Sequence, residues 1–110
     1  MCETFRVDKF VVPARAREEF LGKVHATHEI LRTQPGFVRD AIQEQSSGPG
    51  EFNFVTIVEW ENGDFFEGAR QAVAALDRKM NFDPHELITR LGIRVDIANY
   101  KRVERAMAAE

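Results

Sequence analysis

The sequence predicts an α+β domain in which a four-stranded antiparallel sheet carries its helices on one face. Three observations predict it. Residues 51–61, EFNFVTIVEWE, alternate with the two-residue period of a strand. Residues 14–33 and 64–80 repeat apolar residues at helical spacing. Breaks rich in proline, glycine and serine at 34–36 and 46–50 separate these runs.

Taken in order, residues 5–12 read as a strand, with Phe5, Val7 and Val11 on one side and Phe10 and Val12 on the other. Pro13 ends it, having no N–H for a ladder. Residues 14–33 read as a helix whose apolar stripe is Phe20, Val24, His28 and Leu31, with Leu21 beside it. Arg15, Glu19, Lys23 and Arg32 lie on its opposite side. The QPG of 34–36 stops it, Gly36 accepting a left-handed turn. A second strand spans 37–45, and SSGPG closes a hairpin into the third, 51–61. There Phe52, Phe54, Thr56, Val58 and Trp60 share one face; Asn53, Val55, Ile57 and Glu59 share the other.

Asp64 is the expected cap of the next helix, with Glu67 completing a capping box. Its stripe is Phe65, Ala69, Ala72, Val73, Leu76 and Met80, and the alanines favour close packing. A short helix over 81–92 is framed by Asp83, Pro84 and Gly92. Residues 93–103 form the last strand, with Ile93, Val95 and Ile97 on one face and Ala98 and Tyr100 on the other. Residues 104–110 read as a frayed tail. The order β-α-β-β-α-β is that of a ferredoxin-like sandwich.

The 110 residues suit one domain. A net charge of −3 with scattered basic residues disfavours nucleic acid and anionic membranes as partners. The single cysteine, Cys2, excludes an intrachain disulfide and a thiol-rich metal site. No secretory signal or apolar run of membrane-spanning length is present, so a cytoplasmic location is the default expectation. No phosphate loop or nucleophile elbow occurs, and Glu18 and Glu19 sit on a solvated face. These absences argue against nucleotide cofactors, serine hydrolysis and glycosidase chemistry.

In a monomer of this architecture one sheet face meets water and should be polar. Val55 and Ile57, with Ile93, Val95 and Ile97 added by the last strand, predict an apolar face instead. Such a patch exceeds a few hundred Å², more than soluble monomers usually expose. A homodimer packed sheet against sheet with twofold symmetry is therefore expected. The gap between helices and the other sheet face is then private to each subunit, and is where a small apolar or aromatic ligand would bind.

The element order, the helix ending LRTQPGF and the strand-turn-helix FVTIVEWENGDFFEGA resemble the antibiotic biosynthesis monooxygenase family of dimeric α+β barrels, over about residues 5–103. The resemblance implies cofactor-independent oxidation of a small phenolic, quinol or anthrone-like compound, with no cofactor and no metal. It also implies that Trp60 faces the pocket; the bottom-up alternative is a core tryptophan closing one end of the sandwich. The family's haem-degrading branch uses a first-strand asparagine and a second-helix histidine, and neither is present here.

His28, within the apolar stripe, points toward the sheet as a general base or as a buried, hydrogen-bonded histidine. His25 lies on the helix flank; the pair has i, i+3 spacing but no evident third metal ligand. His85 stands at the pocket mouth or on the surface. Tyr100 donates into the pocket or packs. The expected catalytic set is His28, Trp60 and Tyr100. The competing expectations are a non-catalytic dimeric small-molecule-binding protein, or a non-oxidative isomerase or cyclase.

Overall fold

The computed structural model describes residues 3–104; Cys2 and the rest of the expected tail, 105–110, lie outside them. Four strands, β1 (Thr4–Val11), β2 (Phe37–Glu44), β3 (Phe54–Trp60) and β4 (Arg94–Tyr100), alternate with α1 (Arg17–Leu31), α2 (Phe66–Lys79) and the short α3 (Pro84–Leu91). The sheet order is β2-β3-β1-β4 with every neighbour antiparallel, the α+β ferredoxin-like arrangement.

Strand alternation assigns the two faces. Arg6, Asp8 and Phe10 pair with Val58, Thr56 and Phe54 on the helix-covered face. Phe5, Val7 and Lys9 pair with Glu59, Ile57 and Val55 on the outer face. Across β4, Phe10 opposes Val95 and Asp8 opposes Ile97. Val95 and Ile97 therefore belong to the covered face, and Ile93 is buried in the core. This corrects the composition expected for the outer surface: its apolar residues include Phe5, Val7, Ala41, Val55, Ile57 and Ala98.

The core has two parts. One packs Phe20, Val24, Phe54, Leu87, Leu91 and Ile93, with the Phe20 ring edge-on to Phe10 at 4.9 Å and tilted against Phe54 at 5.1 Å between centroids. α3 covers this end, its Asp83 side chain accepting from the His85 N–H, Pro84 opening it and Gly92 closing it at φ 71°. The other part packs Val58, Trp60 and Ala69 with Leu31, Phe37, Phe65 and Phe66.

Local caps differ from expectation in one place. A short 3-10 turn, Gly63–Phe65, precedes α2, so the first orphan N–H groups arise earlier and Asn62, not Asp64, caps them by accepting from the Asp64 N–H. Glu67 instead accepts from Arg70 and Gln71. Met80 ends α2 and is 66% exposed, so it leaves the predicted stripe. Gly36 sits at φ 83°, and a Cβ there would fall 2.2 Å from the Phe65 ring. That close approach ties the start of β2 to the β3–α2 connection. Asn53 clamps the other end of the sheet, its side chain donating to Val12 O and accepting from Val12 N, both at 2.8 Å.

Candidate functional site

Between the two core clusters the inward sheet positions turn polar: Arg6 and Asp8 on β1, Asp40 on β2 and Thr56 on β3. Burying polar groups costs free energy unless each is paired, so a purely structural interior would place apolar residues here. The helices do not fill this middle. A cavity of about 380 Å³ opens between β1, β3, α1 and α2, against His28, Thr56, Val58, Trp60, Ala69 and Val73. A second lobe of about 390 Å³ shares Asp8, His28, Thr56 and Val73 with it and runs toward α3, past Phe10, Phe20, Leu87 and Ile97.

His28 is 4% exposed and sits at the junction of the two lobes. Its Nδ1 lies 2.7 Å from Asp40 Oδ2. Burial opposes the charge on Asp40, but hydrogen bonds from Arg32 and His28 outweigh it and hold the carboxyl below its ordinary value. An ionised carboxylate only accepts, so Nδ1 carries the proton in this bond. Nε2 is then the basic nitrogen, and it has no hydrogen-bond partner among the described residues. Arg32 backs the pair with a fork on Asp40, Nη2 to Oδ2 at 2.9 Å and Nε to Oδ1 at 3.2 Å.

The other charges on the walls are mostly paired. Arg6 Nε donates to Asp8 Oδ1 at 3.1 Å. Burial pushes the Asp8 carboxyl above its ordinary value, against the opposing pull of Arg6 and His28. Lys23 bonds Asp77 across the α1–α2 seam and lies 4.2 Å from the Phe82 ring centroid. Two residues expected on a solvated helix face, Lys23 and Arg32, thus serve the cavity: each stem reaches over the helix edge to a partly buried carboxylate.

Trp60 is 2% exposed and lines the cavity. Phe37 and Phe66 hold it edge-on, at 6.0 Å and 6.3 Å between centroids. No acceptor among the described residues takes its indole N–H. Packing residue and pocket wall are therefore both true of it. Tyr100 is not brought to this site: it pairs with Phe5 on the outer sheet face, where Lys9 Nζ lies 5.9 Å from its ring. The single-residue alternation of β4 forces this, because Ile97 and Tyr100 are an odd number of steps apart. His25 and His85 are exposed and border neither lobe.

Asp40, Arg6 and Asp8 escaped the sequence reading. Their signal was present: each charged residue occupies an inward strand position, in register with Phe10, Ile42 or Val58. No group of three or more His, Cys, Asp or Glu side chains among the described residues could hold a metal ion. No helix among them is long and apolar enough to cross a membrane.

No protein-family profile matches the chain, and no curated protein matches its sequence. Solved structures do. A candidate monooxygenase from Shewanella loihica PV-4 superposes with a TM-score of 0.69 at 18% identity, over 96% of this chain and 97% of that one. SnoaB, a cofactor-independent oxygenase from Streptomyces nogalater, gives 0.60 at 22% identity over 98% and 99%. A candidate antibiotic biosynthesis monooxygenase from Nitrosomonas europaea gives 0.67 at 12% identity over 92% and 90%. At these identities the likeness is one of architecture: the chain shares with these structures the α+β ferredoxin-like fold.

Proposed function

We propose that the chain is a cofactor-independent monooxygenase acting on a small acidic aromatic of phenolic, quinol or anthrone type. The observation that carries this reading is a buried histidine, fixed by a carboxylate, at the wall of a largely apolar cavity. His28 Nε2 takes a proton from the bound aromatic, and the resulting anion is electron-rich enough to reduce O₂ directly. The apolar part of the lining disfavours water beside that anion and so slows its reprotonation. Trp60 offers its indole N–H to a substrate oxygen. SnoaB, with the same fold, is an oxygenase that works without a cofactor, which supports the reaction class.

Two copies pair through the outer sheet faces in this reading. The apolar centre formed by Phe5, Val7, Val55 and Ile57 supports it. At roughly 25 cal/mol per Å² of apolar area, covering such a patch favours association by several kcal/mol before entropic costs. Sedimentation at micromolar concentration should give a dimer, and a monomer would contradict the pairing.

Oxygen uptake with a panel of hydroquinones and anthrones tests the function. Consumption well above the uncatalysed rate supports it. A protein that binds members of the panel without consuming oxygen would instead be a small-molecule binder, and one that converts them without oxygen an isomerase or cyclase.

A further inference from the structure

We propose that Asp8 is a second proton-transfer residue of this site, the acid that completes O–O cleavage after His28 has started the reaction. The inference rests on the oxygenase reading above and assigns a group that reading leaves unused.

The chemistry requires two proton-handling groups. Oxidation of a methylene of the anthrone type is R₂CH₂ + O₂ → R₂C=O + H₂O. His28 Nε2 first removes one C–H proton. One electron passes from the carbanion to O₂, and the radical pair closes a C–O bond to give a peroxide anion. The imidazolium returns its proton, leaving R₂CH–OOH and neutral His28. The carbonyl then forms as the second C–H proton leaves and the O–O bond breaks, expelling hydroxide. His28 can serve again as base in that step, but it cannot at the same time protonate the leaving oxygen. A separate acid is needed, and it must face the same space.

Asp8 is placed for this. It projects from the covered face of β1, in register with Thr56 on β3 and Ile97 on β4. Together with His28 it borders both lobes of the cavity, so the two groups flank one space from opposite layers. Its Oδ1 accepts from Arg6, while Oδ2 has no hydrogen-bond partner among the described residues. Burial favours the protonated form, the form that can donate. The charges facing it are Arg6 on its own strand, His28 and Lys23 on α1, and Asp77 on α2. After cleavage, the proton that His28 has gained passes to the Asp8 carboxylate, and both groups return to their starting states. The balance is one O₂ consumed, one water formed and no net proton.

The test is single-turnover oxidation of anthrone in air-saturated buffer by the parent chain, Asp8→Asn and Asp8→Glu, with oxygen, anthraquinone and organic hydroperoxide followed together. The expected result is that Asp8→Asn slows anthraquinone formation at least about tenfold relative to oxygen consumption, with hydroperoxide accumulating. Asp8→Glu, which keeps an acid there, should restore much of the quinone rate. A ratio of quinone to oxygen equal to the parent's in Asp8→Asn would overturn the role of Asp8 while leaving the oxygenase reading intact. Loss of activity in Asp8→Asn without hydroperoxide, in a variant whose melting and dichroism match the parent's, would overturn it too. A parent chain that consumes no oxygen would overturn the oxygenase reading and this inference together.

Discussion

Replacing Asp40 with asparagine keeps the shape of the side chain and removes its charge. In the native fold that carboxylate accepts from His28 Nδ1 at 2.7 Å and from the Arg32 fork, and it is 12% exposed. The Arg32 partner is 46% exposed, so solvent screens its share to roughly 0–1 kcal/mol. The buried bond to His28 is the larger loss, since hydrogen bonds to charged groups contribute about 1.5–3 kcal/mol. An asparagine oxygen still accepts one bond, so a total near 1–3 kcal/mol is expected. At about 4–8 °C per kcal/mol for a domain of this size, Tm should fall by roughly 5–20 °C. The catalytic effect should be larger. The amide NH₂ can donate to Nδ1 and so select the tautomer with its proton on Nε2, which leaves no base facing the cavity. Loss of general-base catalysis is worth about 10²–10⁴ in rate. Oxygen uptake and urea unfolding measured on one preparation separate the two effects. Parent-level turnover in Asp40→Asn, with the expected loss of stability, would refute the dyad as the source of the base.

Trp60→Phe retains an aromatic ring between Phe37 and Phe66 but has no N–H; it should cost about 1–3 kcal/mol in urea unfolding and raise KM for a phenolic substrate, whereas an unchanged KM would make Trp60 a packing residue alone. Gly36→Ala combines a left-handed backbone with a Cβ driven into Phe65, so it should destabilise by roughly 2–5 kcal/mol; a melt within about 2 °C of the parent's would contradict the packing described there. The two carboxyls should have opposite pH signatures. Asp40 titrates below its unfolded value, so its stabilisation is complete above about pH 4 and is lost as pH falls further; the gap between parent and Asp40→Asn should narrow in acid. Asp8 titrates above its unfolded value, so the folded state holds the extra proton and stability falls as pH rises through the folded value; Asp8→Asn should lack that decline, and parallel stability curves would contradict the burial of Asp8.

The elements most legible in the sequence were those with one unambiguous period. β3 alternates cleanly, α1 carries Phe20, Val24 and His28 four residues apart, and α3 is bracketed by Asp83, Pro84 and Gly92. That His28 and Trp60 line the cavity was legible because a polar group on an apolar stripe or strand end stands out. Tyr100 and the outer-face role given to Val95 and Ile97 failed on a single fact the sequence does not print: which face of β4 meets the helices. Only the pairing of Phe10 with Val95 decides it. The dyad was hidden for a similar reason. Asp40 lies 12 residues beyond His28, and their meeting depends on α1 folding back over β2. Asp8 does not stand out in the sequence because the period of β1 is carried by its hydrophobic residues, yet Arg6 and Asp8 occupy its inward positions beside the cavity.

The proposed chemistry depends above all on His28 as the base in the cavity. Its most direct test is the rate of oxygen uptake with anthrone for the parent chain and for His28→Asn, whose amide NH₂ can still donate to Asp40. Uptake at the uncatalysed rate is expected in the variant, with unfolding close to the parent's. Undiminished uptake in His28→Asn would contradict it.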